Sequence, residues 1–238
     1  EGEIVIAKRI EEGIRELMAA LAFYPGSVEK ILNEYALVTR EERKLADILV
    51  GYLDPAEHVP SAQQIAEQQA AAGKKDDDDD DTPSGPDPVE AKKRFTALKR
   101  QFNKTEKVIA AQGRQHAEAI KEMEKLGELF KFFKLTPRVF DPLNDEARAS
   151  LAEVREQERE IMMLAVRRCG MPRKEFIKSF QGAEADVKWV GRHARKKDYG
   201  SRLSARKDDI QRAQRRIQQI EEETDLAVTE IKEINRRM

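Results

Sequence analysis

Apolar side chains recur along almost the whole chain at spacings of three and four and hardly ever alternate, so the sequence is committed to helices before anything else is known about it. Ile6, Ile10, Ile14, Leu17 and Leu21 share one helical face. Pro25-Gly26 should stop that helix. Ser27 can cap a second one carrying Val28, Ile31, Leu32 and Tyr35, and Thr39 with Glu42 makes a capping box for a third that ends at Asp54-Pro55. Asp87, Pro88 and Glu90 supply an N-cap, an N1 proline and an acidic first turn for a helix through Phe95, Leu98 and Phe102. The next helix carries Ile120, Met123, Leu126, Leu129, Phe130 and Phe133, whose aromatic density predicts a core-facing end and a second core there. Thr136-Pro137 opens a helix running to Cys169-Gly170, with Asp141-Pro142 predicting a kink or a fresh start inside it. A short helix holds Phe176, Ile177 and Phe180, Gly182 breaks the pattern before Trp189, and two long helices finish the chain. No run reads as a strand, and no Asn-Gly or Asp-Gly turn joins two alternating segments. The expected class is all-α.

Residues 55–88 escape the periodicity. Six aspartates, Asp76 to Asp81, repel one another and cannot be buried, and Thr82-Pro83-Ser84-Gly85-Pro86 blocks regular structure, so a disordered acidic loop is expected at about residues 56–87. A chain of 238 residues can bury a core, but charged residues make up 37% of it and aromatics 6%. With a mean hydropathy of −0.72, long solvated helices are expected. The net charge of −1 conceals a segregation of sign, acidic at Asp76–Asp81 and basic from Lys188 to Arg216. Cys169 is the only cysteine, which excludes an intrachain disulfide and a Cys-based zinc site. No basic leader or apolar run of membrane-spanning length is present, and a cytoplasmic location is expected. The start at Glu1-Gly2-Glu3, without Met and already in helical pattern, suggests a fragment of something longer.

The residues offer little chemistry. His58, His116 and His193 lie on separate segments without a partner ligand at helical spacing, so no metal is expected and they read as surface residues. Phosphate loops, dinucleotide fingerprints and nucleophile elbows are missing, so neither an enzyme nor a cofactor is expected. Arg167 and Arg168 would favour a Cys169 thiolate, yet Ile161, Leu164 and Val166 beside it favour a buried packing residue. Glu221 to Glu223 point in different directions and form no acid/base pair. The basic stretch from Lys188 to Arg216, with Trp189 and Tyr199 as its aromatics, can meet phosphates or an acidic protein, or be a solvated face.

Specificity lies at the two ends. Glu1-Gly2-Glu3-Ile4, then Ile6-Ala7-Lys8-Arg9-Ile10-Glu11 and Gly13, resembles the end of region 1.2 in bacterial primary (housekeeping) sigma factors of the sigma-seventy family. Ile220-Glu221-Glu222-Glu223-Thr224, Leu226 and Ile234-Asn235-Arg236-Arg237-Met238 resemble the opening of region 2.1. Between them Tyr24-Pro25, the acidic loop, Gln157-Glu158-Arg159 with Ile161-Met162, and Met171-Pro172 are similar to the nonconserved insertion of these factors, looser in identity than in order. The resemblance divides the chain into residues 1–22, 23–219 and 220–238 and implies that the first and last of these pack together, with Ile10, Ile14 and Leu17 facing Ile231 and Ile234.

It further implies a non-catalytic helical module of a factor that directs RNA polymerase core to promoters. The module would touch the beta-prime clamp and modulate promoter-complex stability and escape, and promoter DNA would be a partner of the full-length factor. No membrane or small-molecule substrate is implied. In the family a basic side chain of the third helix approaches the DNA backbone upstream of the minus-ten element. Lys44 stands at that place, with Arg43 beside it. Thr224-Asp225-Leu226-Ala227 departs from the family's Thr-Gly-Leu-Thr, losing a C-terminal glycine and a capping threonine, with Thr229 or Asp225 expected to replace the cap. Pro142 departs as well, inside what relatives show as one helix. A cytoplasmic helical scaffold binding another protein is the alternative, and an enzyme with a site built from no recognisable motif is a third.

Overall fold

A computed structural model describes residues 2–53 and 86–238, with side chains from residue 5 onward. Asp54-Pro55, His58 and most of the expected acidic loop, the six aspartates included, lie outside the described residues. Among the described residues the chain is helical apart from two short strands. In order the elements are α1 (Gly2–Leu21), α2 (Ser27–Thr39), a 3₁₀ turn (Leu45–Asp47), β1 (Leu49–Tyr52), α3 (Pro88–Gln112), α4 (Ala117–Phe130) and β2 (Phe133–Leu135). There follow α5 (Pro137–Met162), a π-helical segment (Met163–Arg168), α6 (Arg173–Phe180), α7 (Trp189–His193), α8 (Gly200–Ala205), α9 (Lys207–Thr224) and α10 (Val228–Arg237). They make two compact units: Glu1–Met18 with Lys30–Val139, and Ala19–Glu29 with Phe140–Met238.

The first unit is built on the α3–α4 hairpin, whose turn is at Gly113, in a left-handed conformation with φ 84°. α3 starts as its sequence requires: the Asp87 carboxylate accepts from the Val89 amide at 2.9 Å, and Pro88 takes the position where no amide is needed. The expected aromatic core is present, but Ile120 and Leu129 of α4 are exposed and stay outside it. Phe95 stacks on Tyr35 with centroids 3.9 Å apart and meets Phe133 edge-on at 4.9 Å. Phe95, Leu98, Phe130 and Phe133 are all buried, each contributing about 1.5–3 kcal/mol. Polar closure of the hairpin comes from Glu122, which is buried and accepts from Gln101, Lys104 and Lys125.

Two expectations in this unit are corrected. The third helix is replaced by the 3₁₀ turn and β1, because Thr39 bonds back to the Ala36 carbonyl at 2.8 Å and so closes α2 instead of capping a new helix. Glu41 then turns left-handed, with φ 63°. β1 pairs antiparallel with β2, Leu49 opposite Leu135 and Tyr52 opposite Phe133, with an irregularity between Leu49 and Gly51. Backbone bonds Leu53 N to Phe132 O (2.8 Å) and Thr136 N to Ile48 O (2.9 Å) extend the pairing. The expectation of no strand fails here because the partners are far apart in sequence, so no hairpin turn marks them. The all-α class stands.

In the second unit α5 continues through Pro142 as one helix, so there is no fresh start at Asp141-Pro142, and it passes into the π segment, which ends at Cys169 and a left-handed Gly170 (φ 80°). Ser27 is buried with an unpartnered hydroxyl and does not cap α2. The two long final helices become α8, α9 and α10. Gln211, Gln214 and Gln218 lie along one face of α9 and donate to the carbonyls of Val187, Asp186 and Ala185, each at 2.8 Å. That row satisfies a connecting loop that has no regular backbone pairing of its own. Trp189, fully buried, meets Phe176 and Phe180 edge-on and donates its indole N–H to the Ser179 carbonyl at 3.1 Å.

Candidate functional site

The closing signature is tied down residue by residue within the second unit. Ile231 and Ile234 of α10 are buried. The Asn235 amide donates to the Ala147 carbonyl of α5 at 3.0 Å, and Arg236 grips Glu233 through two bonds of 2.8 and 2.6 Å. Arg237 lies over the Phe23 ring, 4.5 Å from its centroid. Phe23, just after α1, belongs to the same unit as α10. Ile14 and Leu17 are half-buried, whereas Ile10 is 57% exposed and takes no buried place.

The altered connector is solved by its own residues. Asp225 adopts the left-handed conformation (φ 53°, ψ 34°) that glycine would otherwise take at the end of α9. Neither Thr229 nor Asp225 caps α10. Glu230 reaches back to the Ala227 amide at 3.0 Å, and Glu221 accepts from the Val228 amide at 2.8 Å.

Arg43 and Lys44 have different surroundings. Arg43 is half-buried in an ion pair with Glu34, so its charge is already matched. Lys44 is exposed and, among the described residues, in no ion pair; its backbone N–H donates to the Asp47 carboxylate at 3.3 Å and its carbonyl accepts from the Asp47 amide at 3.1 Å.

Of the other residues singled out by sequence, Cys169 is 1% exposed and points its thiol at the Arg202 carbonyl, 3.4 Å away. Burial pushes the thiol pKa up, against the opposing influence of Arg206 and Arg202. This is a packing residue. Trp189 and Tyr199 are also buried, and the Tyr199 hydroxyl donates to Glu175 at 2.7 Å. Burial, then that bond, raises the phenol pKa; the same bond, with Lys196 in support, lowers that of Glu175. His193 sits against the Trp189 ring at 5.0 Å and has its pKa lowered by burial. His116 is the N-cap of α4, accepting from the Glu118 amide at 3.3 Å, a role its surroundings in sequence did not announce. Among the described residues no cluster of three His, Cys, Asp or Glu side chains is placed to hold a metal, and no helix is long and apolar enough to cross a membrane.

One feature escaped the sequence reading: a groove of about 430 Å³ between α5, α6 and α10. Its apolar lining is Met162, Phe176, Ile177 and Phe180, and Ile177 is 51% exposed. Lys232 closes one side, bridging Glu158 at 2.6 Å and the buried Glu184 at 2.8 Å. Arg155 and Arg159, one helical turn apart, line it without an ionic partner among the described residues. Such a mix of apolar lining and oriented charge suits a protein segment better than a reaction.

The comparisons with known proteins agree with this arrangement. The sigma-70 non-essential region matches residues 24–221. RNA polymerase sigma factor RpoD of Neisseria gonorrhoeae is 23% identical over 257 residues, an alignment that takes in 100% of this chain and 40% of that protein. The chain therefore spans less than half the length of that curated relative. With a match over most of its length, the chain belongs to the sigma-70 family, and residues 24–221 are its non-essential region.

Proposed function

We propose that this chain is the part of a primary sigma factor that serves as a helical interaction module in transcription initiation, contacting RNA polymerase core at the beta-prime clamp and modulating promoter-complex stability and escape. The observation that carries the reading is the family match over residues 24–221, joined to a relative named as an RNA polymerase sigma factor. Members of this family are not enzymes. In this reading residues 1–22 and 220–238 belong to the flanking regions 1.2 and 2.1, and the module acts in the cytoplasm. The half-exposed groove around Ile177 supplies apolar surface for a protein partner. Lys44 supplies a phosphate contact with promoter DNA, while Arg43, held by Glu34, lends support to the backbone beside it.

Two measurements on the full-length factor test this. Deletion of residues 23–219 is expected to change the ratio of abortive to full-length transcripts, and an unchanged ratio rejects the role in escape. Lys44→Glu is expected to weaken promoter complexes and to lower the salt slope of binding by about 0.9, the share of one phosphate. An unaltered slope returns Lys44 to an ordinary surface lysine.

A further inference from the structure

Between Arg167 and Arg216, Lys and Arg outnumber Asp and Glu sixteen to six, in a chain whose net charge is −1. Helix packing draws three parts of this stretch to one place in the second unit. They are the end of the π segment (Arg167, Arg168), the start of α6 (Arg173, Lys174), and the connection into α8 (Arg195, Lys197). Cys169 donates to the Arg202 carbonyl at 3.4 Å, and a side chain on Gly170 would meet the Arg202 guanidinium at 2.9 Å, so α8 lies against the end of the π segment. Lys196 pairs with Glu175 at 3.3 Å, and Tyr199 bonds the same carboxylate, so the α7–α8 connection lies against α6.

The charge of this lobe is poorly neutralised. Arg167, Arg168, Arg173, Lys174, Arg195 and Lys197 are all exposed and make no ion pair among the described residues. Nearby carboxylates are occupied elsewhere: Glu175 by Tyr199 and Lys196, Asp186 by Arg192, and Asp209 by Arg206 and Arg212. Asp198 and Asp208 remain exposed among the cations. An array of this density attracts a polyanion.

Three observations narrow the kind of polyanion. Among the described residues Ile177, one turn beyond Arg173 and Lys174 on α6, is the only large apolar side chain exposed from Arg167 to Met238, so the lobe offers little of the apolar anchor of a protein interface. Trp189 and Tyr199 are buried, so unpaired bases find no stacking platform. Gln211, Gln214 and Gln218, which have the right chemistry for base edges, are spent on carbonyls of residues 185–187. What is left is contact with regularly spaced phosphates and no reading of sequence.

We propose that this basic lobe is a sequence-independent binding surface for the phosphate backbone of duplex DNA, separate from Lys44, which belongs to the other unit. It stands independently of whether the chain contacts polymerase. The test uses the 238-residue chain, titrated against a fluorescent mixed-sequence duplex, the matching single strand and fluorescent poly-glutamate over a range of KCl. Duplex binding that falls linearly with log salt is expected. The triple variant Arg168→Glu, Arg173→Glu, Lys197→Glu should bind about tenfold or more weakly at low salt, its slope lower by about 2.7 for three phosphates. Lys92→Glu, Lys99→Glu, Arg100→Glu on exposed positions of α3 carries the same change of net charge and should leave binding within about twofold of the parent. If circular dichroism shows the first triple variant unfolded, Lys197→Glu alone should lower the slope by about 0.9. Four results would each overturn the proposal: no salt-dependent duplex binding by the parent, equal loss in the α3 triple, preference for the single strand, or poly-glutamate binding as tight as the duplex.

Discussion

At Asp225 a single side chain accepts a backbone conformation that most L-residues avoid, and the carboxylates of Glu221 and Glu230 do the capping that a threonine would have done two residues later, at Ala227. Sequence showed the loss of glycine and threonine but not the substitutes, because a cap seven residues away in the chain is visible only once the turn is closed. Glu122 is the other residue whose role depends on its setting. Hydrogen bonds from Lys125, Gln101 and Lys104, in that order, outweigh burial and hold its carboxyl at about 2, below the ordinary 4.5. A folded value below the unfolded one means that its stabilisation is complete above about pH 4.5 and is lost as the pH falls toward 2. Urea midpoints measured through that window should fall less steeply for Glu122→Gln than for the parent. Parallel curves would show that Glu122 does not govern the acid limb.

At the scale of elements, periodicity identified α3, α4 and α5 because each buries apolar residues at helical spacing, and the Asp87-Pro88 start of α3 is as local as a signal can be; it identified α1 too, although Ile6 and Ile10 of that stripe are exposed. It failed between Thr39 and Tyr52, where Leu45, Ile48 and Leu49 fit a helix equally well and the deciding partner, Phe133–Leu135, comes from a distant part of the chain. It was also silent about the short α7 and α8, which hold their places through tertiary contacts. Gly200 shows why this spot admits so little: a Cβ there would stand 2.4 Å from the Ala194 carbonyl oxygen and 2.8 Å from its carbon, both backbone atoms. Gly200→Ala should cost about 1–3 kcal/mol as the α7–α8 connection is pushed away. Denaturant unfolding followed by Trp189, the one tryptophan and fully buried, reads this directly. An unchanged midpoint would mean that the connection yields freely.

At the scale of the whole molecule, the only cysteine is a built-in reporter. Cys169 is buried in the second unit with its thiol pKa raised, so alkylation in the native state requires opening of that unit. The labelling rate should therefore rise with denaturant in step with Trp189 fluorescence, and rapid labelling of the native protein would contradict the burial of this residue. The all-α class, the aromatic core of the first unit and the family were all legible in the sequence, since each rests on period, composition or the order of short motifs along the chain. Tertiary structure alone decided which cation of the Arg43-Lys44 pair is neutralised by Glu34, that Trp189 and Tyr199 leave the basic stretch for the core, and that Arg167, Arg173 and Lys197 come together at one surface. The physical reason is common to all three. Neutralisation, burial and convergence depend on residues far apart in the chain, and local pattern carries no information about which of them will meet.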